Sequence, residues 1–115
     1  MSAIALSAGC KPPPERGQSF PTASTERGKQ LIEKVGCGSC HMIEGIRWPK
    51  GAVAPELRGL TGRALIAGQI PNQPELLAAF VRNAPAVLPG TTMPAMPLSE
   101  RESRDVAAYL YGIGS

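Results

Sequence analysis

The residues able to do chemistry concentrate in one segment, Cys37-Gly38-Ser39-Cys40-His41, which holds the chain's single His and two of its three Cys. Two Cys separated by two residues stand about one turn apart when the backbone coils, so both sulfurs can face one edge of a flat ligand. A haem satisfies that geometry. Each of its vinyl groups can form a thioether with one Cys, and a His directly after the second Cys is held where its imidazole binds the iron from one face. Two other chemistries use paired Cys, and the sequence disfavours both. A zinc site needs four ligands, usually from two separated pairs, yet the remaining Cys10 lies in an N-terminal stretch that does not look folded. A thioredoxin-like redox pair expects a strand–helix–strand surround, and no alternating strand pattern occurs in the chain.

His41 accounts for one axial position of the iron, and no second His exists. Of the four Met, Met1 is in the N-terminal stretch and Met42 adjoins His41 on the wrong side of the ring. Met93 and Met96 remain, both in Pro89-Gly90-Thr91-Thr92-Met93-Pro94-Ala95-Met96-Pro97, a proline-stiffened loop able to hold a thioether in place. The other outcome is an open or water-bound position. A bound haem also answers a puzzle of composition. The 115 residues hold only two Phe, two Tyr and one Trp, while 13 Gly and 12 Pro make up more than a fifth of the chain. A single domain of this size needs a further source of buried surface, and a large rigid apolar disc supplies it.

The elements that must position this segment are helical. Leu31, Ile32 and Val35 fall at i, i+1 and i+4, which predicts a helix from Thr25 to Val35 running straight into Cys37. Asn72 with Glu75, and Pro74 in the first turn, predicts a second helix through Leu76, Leu77, Phe80 and Val81. Ser99 with Glu102 is a capping box for a third, along which Val106, Tyr109, Leu110 and Ile113 recur at i, i+3, i+4 and i+7, with Gly112 where a helix normally stops. Loops join them, with one short helical turn expected near Arg63–Ala67 and no strands. Residues 1–10 read as a signal remnant, and in part as a lipoprotein signal in which Ser7, Ala8 and Gly9 precede a lipidated Cys10. Residues 11–24, rich in Pro, Ser and Thr, read as a flexible spacer, leaving 25–115 as the folded domain.

In this arrangement the chain resembles the small, soluble, class I cytochromes c, over roughly Thr25 to Ile113. Gly28-Lys29-Gln30-Leu31 is similar to the family's first helix, whose Gly lets the last helix cross closely, and Tyr109 to the aromatic that packs there. Ala54-Pro55-Glu56-Leu57 resembles the segment whose Pro carbonyl accepts the free ring N–H of the haem His. Gly59-Leu60-Thr61-Gly62-Arg63 resembles the stretch whose Arg lies beside a haem propionate. Phe80 stands at a pocket aromatic that is often Tyr, and Pro89-Gly90-Thr91-Thr92-Met93 resembles the Met-ligand loop, which favours Met93 over Met96. The aromatic propionate donor found before the second helix in many members has no clear counterpart, and Asn72, Gln69 or Trp48 are candidates to replace it. The run from Gly62 to Leu98 also resembles cytochrome c domains attached to oxidase subunits.

The resemblance implies an all-α cytochrome c fold, three main helices and loops wrapped around one covalently bound haem c, attached by Cys37 and Cys40. Iron ligation is expected from His41 and Met93, with Pro55, Arg63 and Phe80 as further haem-binding residues. It also implies a one-electron carrier rather than an enzyme, located in the bacterial periplasm, with Cys10 as a candidate membrane tether. Its partners are expected to be redox proteins such as a terminal oxidase or a dehydrogenase, met by the chain as a monomer. A haem peroxidase-like enzyme or a small-gas sensor is the alternative if the distal Met is absent or labile. Net charge is +3, carried by Lys29, Lys34, Arg47, Lys50, Arg58 and Arg63 rather than by the last helix. No basic block suits nucleic acid, and no apolar run approaches the roughly 18 to 20 residues that a membrane-spanning helix requires.

Overall fold

The computed structural model describes Phe20 and residues 22–113. Cys10, the whole signal-like stretch and most of the spacer lie outside the described residues. Chain order is α1 (Thr25–Val35), a 3-10 turn (Cys37–Ser39), a second 3-10 turn (Leu60–Gly62), β1 (Leu65–Ile66), β2 (Ile70–Pro71), α2 (Pro74–Arg82), α3 (Ala84–Val87) and α4 (Glu100–Gly112). Among the described residues no helix is long and apolar enough to cross a membrane.

Helix α1 starts where the Ser24 side chain accepts the Arg27 N–H at 3.1 Å and ends at Gly36 in the left-handed conformation, φ 86°. That reversal delivers the chain into the 3-10 turn bearing Cys37 and Cys40. The expected capping box of α4 is present, with Glu102 N–H donating to Ser99 Oγ at 3.0 Å and Ser99 N–H donating to Glu102 Oε1 at 2.9 Å. Around these helices one apolar core collects Ile32 from α1, Leu77, Phe80 and Val81 from α2, Val106, Ala107, Leu110 and Tyr111 from α4, and Ile43, Ile46, Leu60 and Leu98 from the loops.

Helix α4 packs on both α1 and α2. At the α1 crossing a Cβ on Gly28 would fall inside the Asp105 carbonyl group and 3.1 Å from Tyr109 Cβ, so the close approach demands a residue without a side chain. Asp105 is itself buried, a position its charge does not announce in the sequence. Its carboxylate accepts Ser24 N–H at 2.8 Å and Arg27 Nε–H at 3.1 Å, which satisfies the charge and ties the entry of α1 to α4. Phe20 stacks on Tyr111 of the same helix α4, ring centroids 6.4 Å apart.

Two local expectations are corrected. The helical turn falls at Leu60–Gly62 rather than at Arg63–Ala67, and Leu65–Ile66 instead pairs antiparallel with Ile70–Pro71. This hairpin turns through Ala67 (φ 52°) and Gly68 (φ 73°), two successive positive φ angles of the kind that match strand twist. Strands of two residues each are too short to print an alternating pattern. Helix α2 is capped at Gln73 without a side-chain bond, because Asn72 points inward and is used elsewhere.

Gly28→Ala is expected to destabilise the protein by about 1–3 kcal/mol through overpacking against a backbone that cannot move aside. Urea denaturation of the haem-loaded full chain measures it, and a stability equal to wild type would contradict the close crossing.

Candidate functional site

The 3-10 turn places Cys37 and Cys40 at its two ends, with Cys40 N–H and His41 N–H both donating to the Cys37 carbonyl at 3.3 and 3.1 Å. Neither thiol is engaged in a disulfide. Cys37 is half-buried and packs on the core, while Cys40 is exposed. Burial pushes the Cys37 thiol up, against a backbone hydrogen bond that lowers it, and the neighbouring Cys40 adds to the rise.

His41 is oriented by one contact. Its Nδ1 lies 2.7 Å from the Pro55 carbonyl oxygen, and a carbonyl can only accept, so Nδ1 is the donor and the neutral ring has its lone pair on Nε2. Bringing Pro55 there occupies the loop from Met42 to Leu57. Gly51 N–H donates to the Gly38 carbonyl at 2.7 Å, Ala54 N–H to the Cys40 carbonyl at 3.0 Å and Leu57 N–H to the Met42 carbonyl at 2.9 Å. The loop lies so flat on the turn that a Cβ at Gly38 would meet the Pro49 carbonyl oxygen at 2.6 Å, and one at Gly51 would strike the Ser39 carbonyl.

Met93 and Met96 are both half-buried against the same core, which also contains Phe80 and touches Cys37. Their loop is held to α2 by Met96 N–H donating to the Arg82 carbonyl at 2.9 Å and by a bridge between Asn83 and Ala95. Arg63 is exposed, its guanidinium reaching only the Arg58 carbonyl at 3.5 Å, the outer limit of a hydrogen bond. Among the described residues no carboxylate pairs with it. An open cleft of about 630 Å³, lined by Arg27, Gln30, Lys34, Arg101, Glu102 and their neighbours, contains none of these residues.

Sequence reasoning missed the buried polar network beside Arg63. Asn72 Nδ2 donates to the Leu60 carbonyl at 2.7 Å and to the Arg63 carbonyl at 2.8 Å, and Tyr111 Oη donates to Asn72 Oδ1 at 2.9 Å. Both amide protons are spent on the backbone, so Asn72 clamps the Leu60–Arg63 turn instead of serving as a propionate donor or a helix cap. The available signal was an Asn between Pro71 and Pro74, where helix capping and burial compete. Tyr109 performs a related task, its hydroxyl donating to the Glu44 carbonyl at 2.6 Å and fastening the Met42–Leu57 loop to α4.

The family model for cytochrome c matches residues 25–113. This chain belongs to the cytochrome c family. Cytochrome c-554 of Methylosinus trichosporium is 31% identical over 112 residues, which cover 86% of this chain and 82% of that protein. Cytochrome c oxidase subunit 2 of Alkalihalophilus pseudofirmus is 33% identical over 85 residues, 73% of this chain, and this cytochrome c spans only 24% of that subunit's length. The fold is similar to that of a chain in the crystal structure of SoxXA from P. pantotrophus, with TM-score 0.62, 22% identity, and coverage of 81% of this chain and 83% of that one. Family membership implies a covalently bound haem c, and the donor set fits it: two unpaired thiols one turn apart, an imidazole with a free Nε2, and thioethers on an apolar wall. Among the described residues no group of three His, Cys, Asp or Glu side chains converges on a metal-sized site, so the Cys pair has no zinc-type company.

Burial pushes the Tyr111 phenol from 10.0 up to about 12. The folded state thus keeps a proton that the unfolded state releases, so this contribution is intact below pH 10 and lost as the pH rises toward about 12. Tyr109 is also pushed up, by burial first and then by Glu44 and Glu33. Tyr111→Phe should cost about 1–3 kcal/mol at neutral pH by orphaning Asn72 Oδ1, and should make the alkaline decline shallower than in wild type. Urea titrations at a series of alkaline pH values check it, and an unchanged decline would refute the assignment.

Proposed function

We propose that this cytochrome c is a periplasmic one-electron carrier, with a single haem c joined to Cys37 and Cys40 and axially held by His41 Nε2 and Met93 Sδ. The observation that carries the reading is the 2.7 Å contact of His41 Nδ1 with the Pro55 carbonyl. It points the one unprotonated ring nitrogen away from the protein backbone, which is what an axial ligand requires, and it makes the imidazole a stronger donor. When bound, the haem supplies a reversible one-electron couple at its iron.

The remaining residues define the surroundings of that couple. His41 and Met93 together would favour the higher-potential end of the range open to haem proteins. Phe80 and Cys37 belong to the dry side, where apolar packing keeps water away. Phe80 brings no hydroxyl to the ligand sulfur, so the thioether of Met93 keeps its full donor strength. Arg63, with no carboxylate partner among the described residues and its carbonyl clamped by Asn72, is positioned to pair with a propionate.

An iron held by both His41 and Met93 would have no site left for substrate, so a carrier and not an enzyme is proposed. Location outside the cytoplasm follows from where the family receives its haem, and Cys10 offers a tether there. The similarity to an oxidase subunit supports a terminal oxidase as partner, reached by this chain as a monomer, with a dehydrogenase on the donor side.

Acid–acetone treatment should leave the haem on the chain, and the intact mass should exceed the polypeptide by one haem; free extraction would end the covalent assignment. Met93→Ala should abolish the weak sulfur-to-iron band at the red end of the oxidised spectrum, lower the potential and admit carbon monoxide, whereas Met96→Ala should do little. The reverse pattern would move the ligand to Met96, and no effect from either would indicate an open position.

A further inference from the structure

We propose that Trp48, with Arg47 and Lys50 beside it, is the centre of the docking face for an electron-transfer partner whose own face is an apolar spot rimmed by carboxylates. The proposal rests on the carrier reading above and names the surface through which that carrier meets a protein. Trp48 is 80% exposed and Val53, at the other end of the same loop, 85%. Their exposure belongs to a loop that is tied down. Ile46 is buried at its start, Gly51 N–H is bonded to the Gly38 carbonyl in its middle and Ala54 N–H to the Cys40 carbonyl at its end. An indole presented on a fixed backbone loses little conformational freedom on binding, and Trp and Arg are the side chains that most often anchor protein interfaces.

Charge selects the occupant. Arg27, Arg58, Arg82 and Arg104 are each paired with a carboxylate of the chain. Arg47 and Lys50 are exposed and, among the described residues, have no such partner; Glu56 of the same loop is taken by Arg58, so against Glu44 the two cations leave the loop net positive toward an acidic surface. A second copy of this chain is disfavoured, because like cations would face one another. An anionic lipid surface shares the charge preference, but the position of the loop favours a protein. The loop covers the turn that carries Cys37 and Cys40, so a partner seated on Trp48 comes within one loop of the haem attachment segment. Docking itself makes and breaks no covalent bond.

The test is stopped-flow oxidation of the reduced, haem-loaded full chain by a purified terminal oxidase whose donor-docking face is acidic, with a small cobalt(III) phenanthroline complex as control oxidant. Trp48→Ala is expected to lower the second-order rate with the oxidase at least tenfold at low salt, and Arg47→Gln with Lys50→Gln to flatten its salt dependence. Both should keep the wild-type potential and the wild-type rate with the cobalt complex. An unchanged oxidase rate in Trp48→Ala overturns the proposal. Wild type that reduces the cobalt complex but not the oxidase also overturns it while leaving the carrier reading intact, whereas wild type that reduces neither overturns the carrier reading beneath it. Sedimentation with phosphatidylglycerol vesicles that depends on Trp48, together with an oxidase rate that does not, would assign the loop to a membrane surface instead.

Discussion

A carbonyl has no proton to give, and on that fact the organisation of this protein turns. The Pro55 oxygen 2.7 Å from His41 Nδ1 selects the tautomer of the neutral imidazole, with the proton on Nδ1 and the lone pair on Nε2. Fourteen positions separate the two residues, and that intervening chain is shaped to bring them together. It is stitched to the Cys37–His41 turn by backbone hydrogen bonds and anchored to α4 by the Tyr109 hydroxyl on the Glu44 carbonyl. Glycines at 38 and 51 exist in that setting because two backbones pass with no room for a Cβ between them.

Polar side chains perform structural work that aromatic bulk performs in richer sequences. Asp105 and Asn72 are both buried, and both are satisfied: the first by Ser24 N–H and the Arg27 guanidinium, the second by two carbonyls and a phenol. Buried groups of this kind are costly when unpaired and directional when paired. They therefore specify geometry at two places where loops would otherwise be loosely determined, the entry to α1 and the turn before Arg63. Among the described residues no buried side-chain polar atom lacks a partner.

The distribution of charge follows a similar division. Carboxylates near α2 and α4 pair with Arg82 and Arg104, and the exposed pairs of this sort contribute little to stability. Among the described residues, the cations Arg47 and Lys50 of the loop that overlies the Cys37–His41 turn have no carboxylate partner. A net positive charge of +3 therefore understates how uneven the surface is.

The sequence by itself determined the spacing of the donor residues and the main helices. The spacing Cys37–Cys40–His41 is covalent, so no folding is needed to read it, and the period of α1 and the Ser99–Glu102 box are local signals within a turn or two of the residues they govern. Apolar spacing likewise marked Phe80 for the core. The resemblance to known cytochromes c pointed to Pro55, and the structure places its carbonyl on His41. Tertiary structure alone decided the rest. Asn72 carries a capping pattern, but two backbone carbonyls and a phenol in the interior outcompeted an exposed helix end for its amide. Tyr111 and Asp105 are buried because α4 is covered on two sides, by α1 and α2, which widens its inward face beyond the stripe that a single-sided helix would show. Hairpin β1–β2 is held by a turn and by neighbours rather than by pattern. That Trp48 points outward is likewise a tertiary fact, since an apolar residue's address depends on which backbone groups of its loop find partners on the surface beneath.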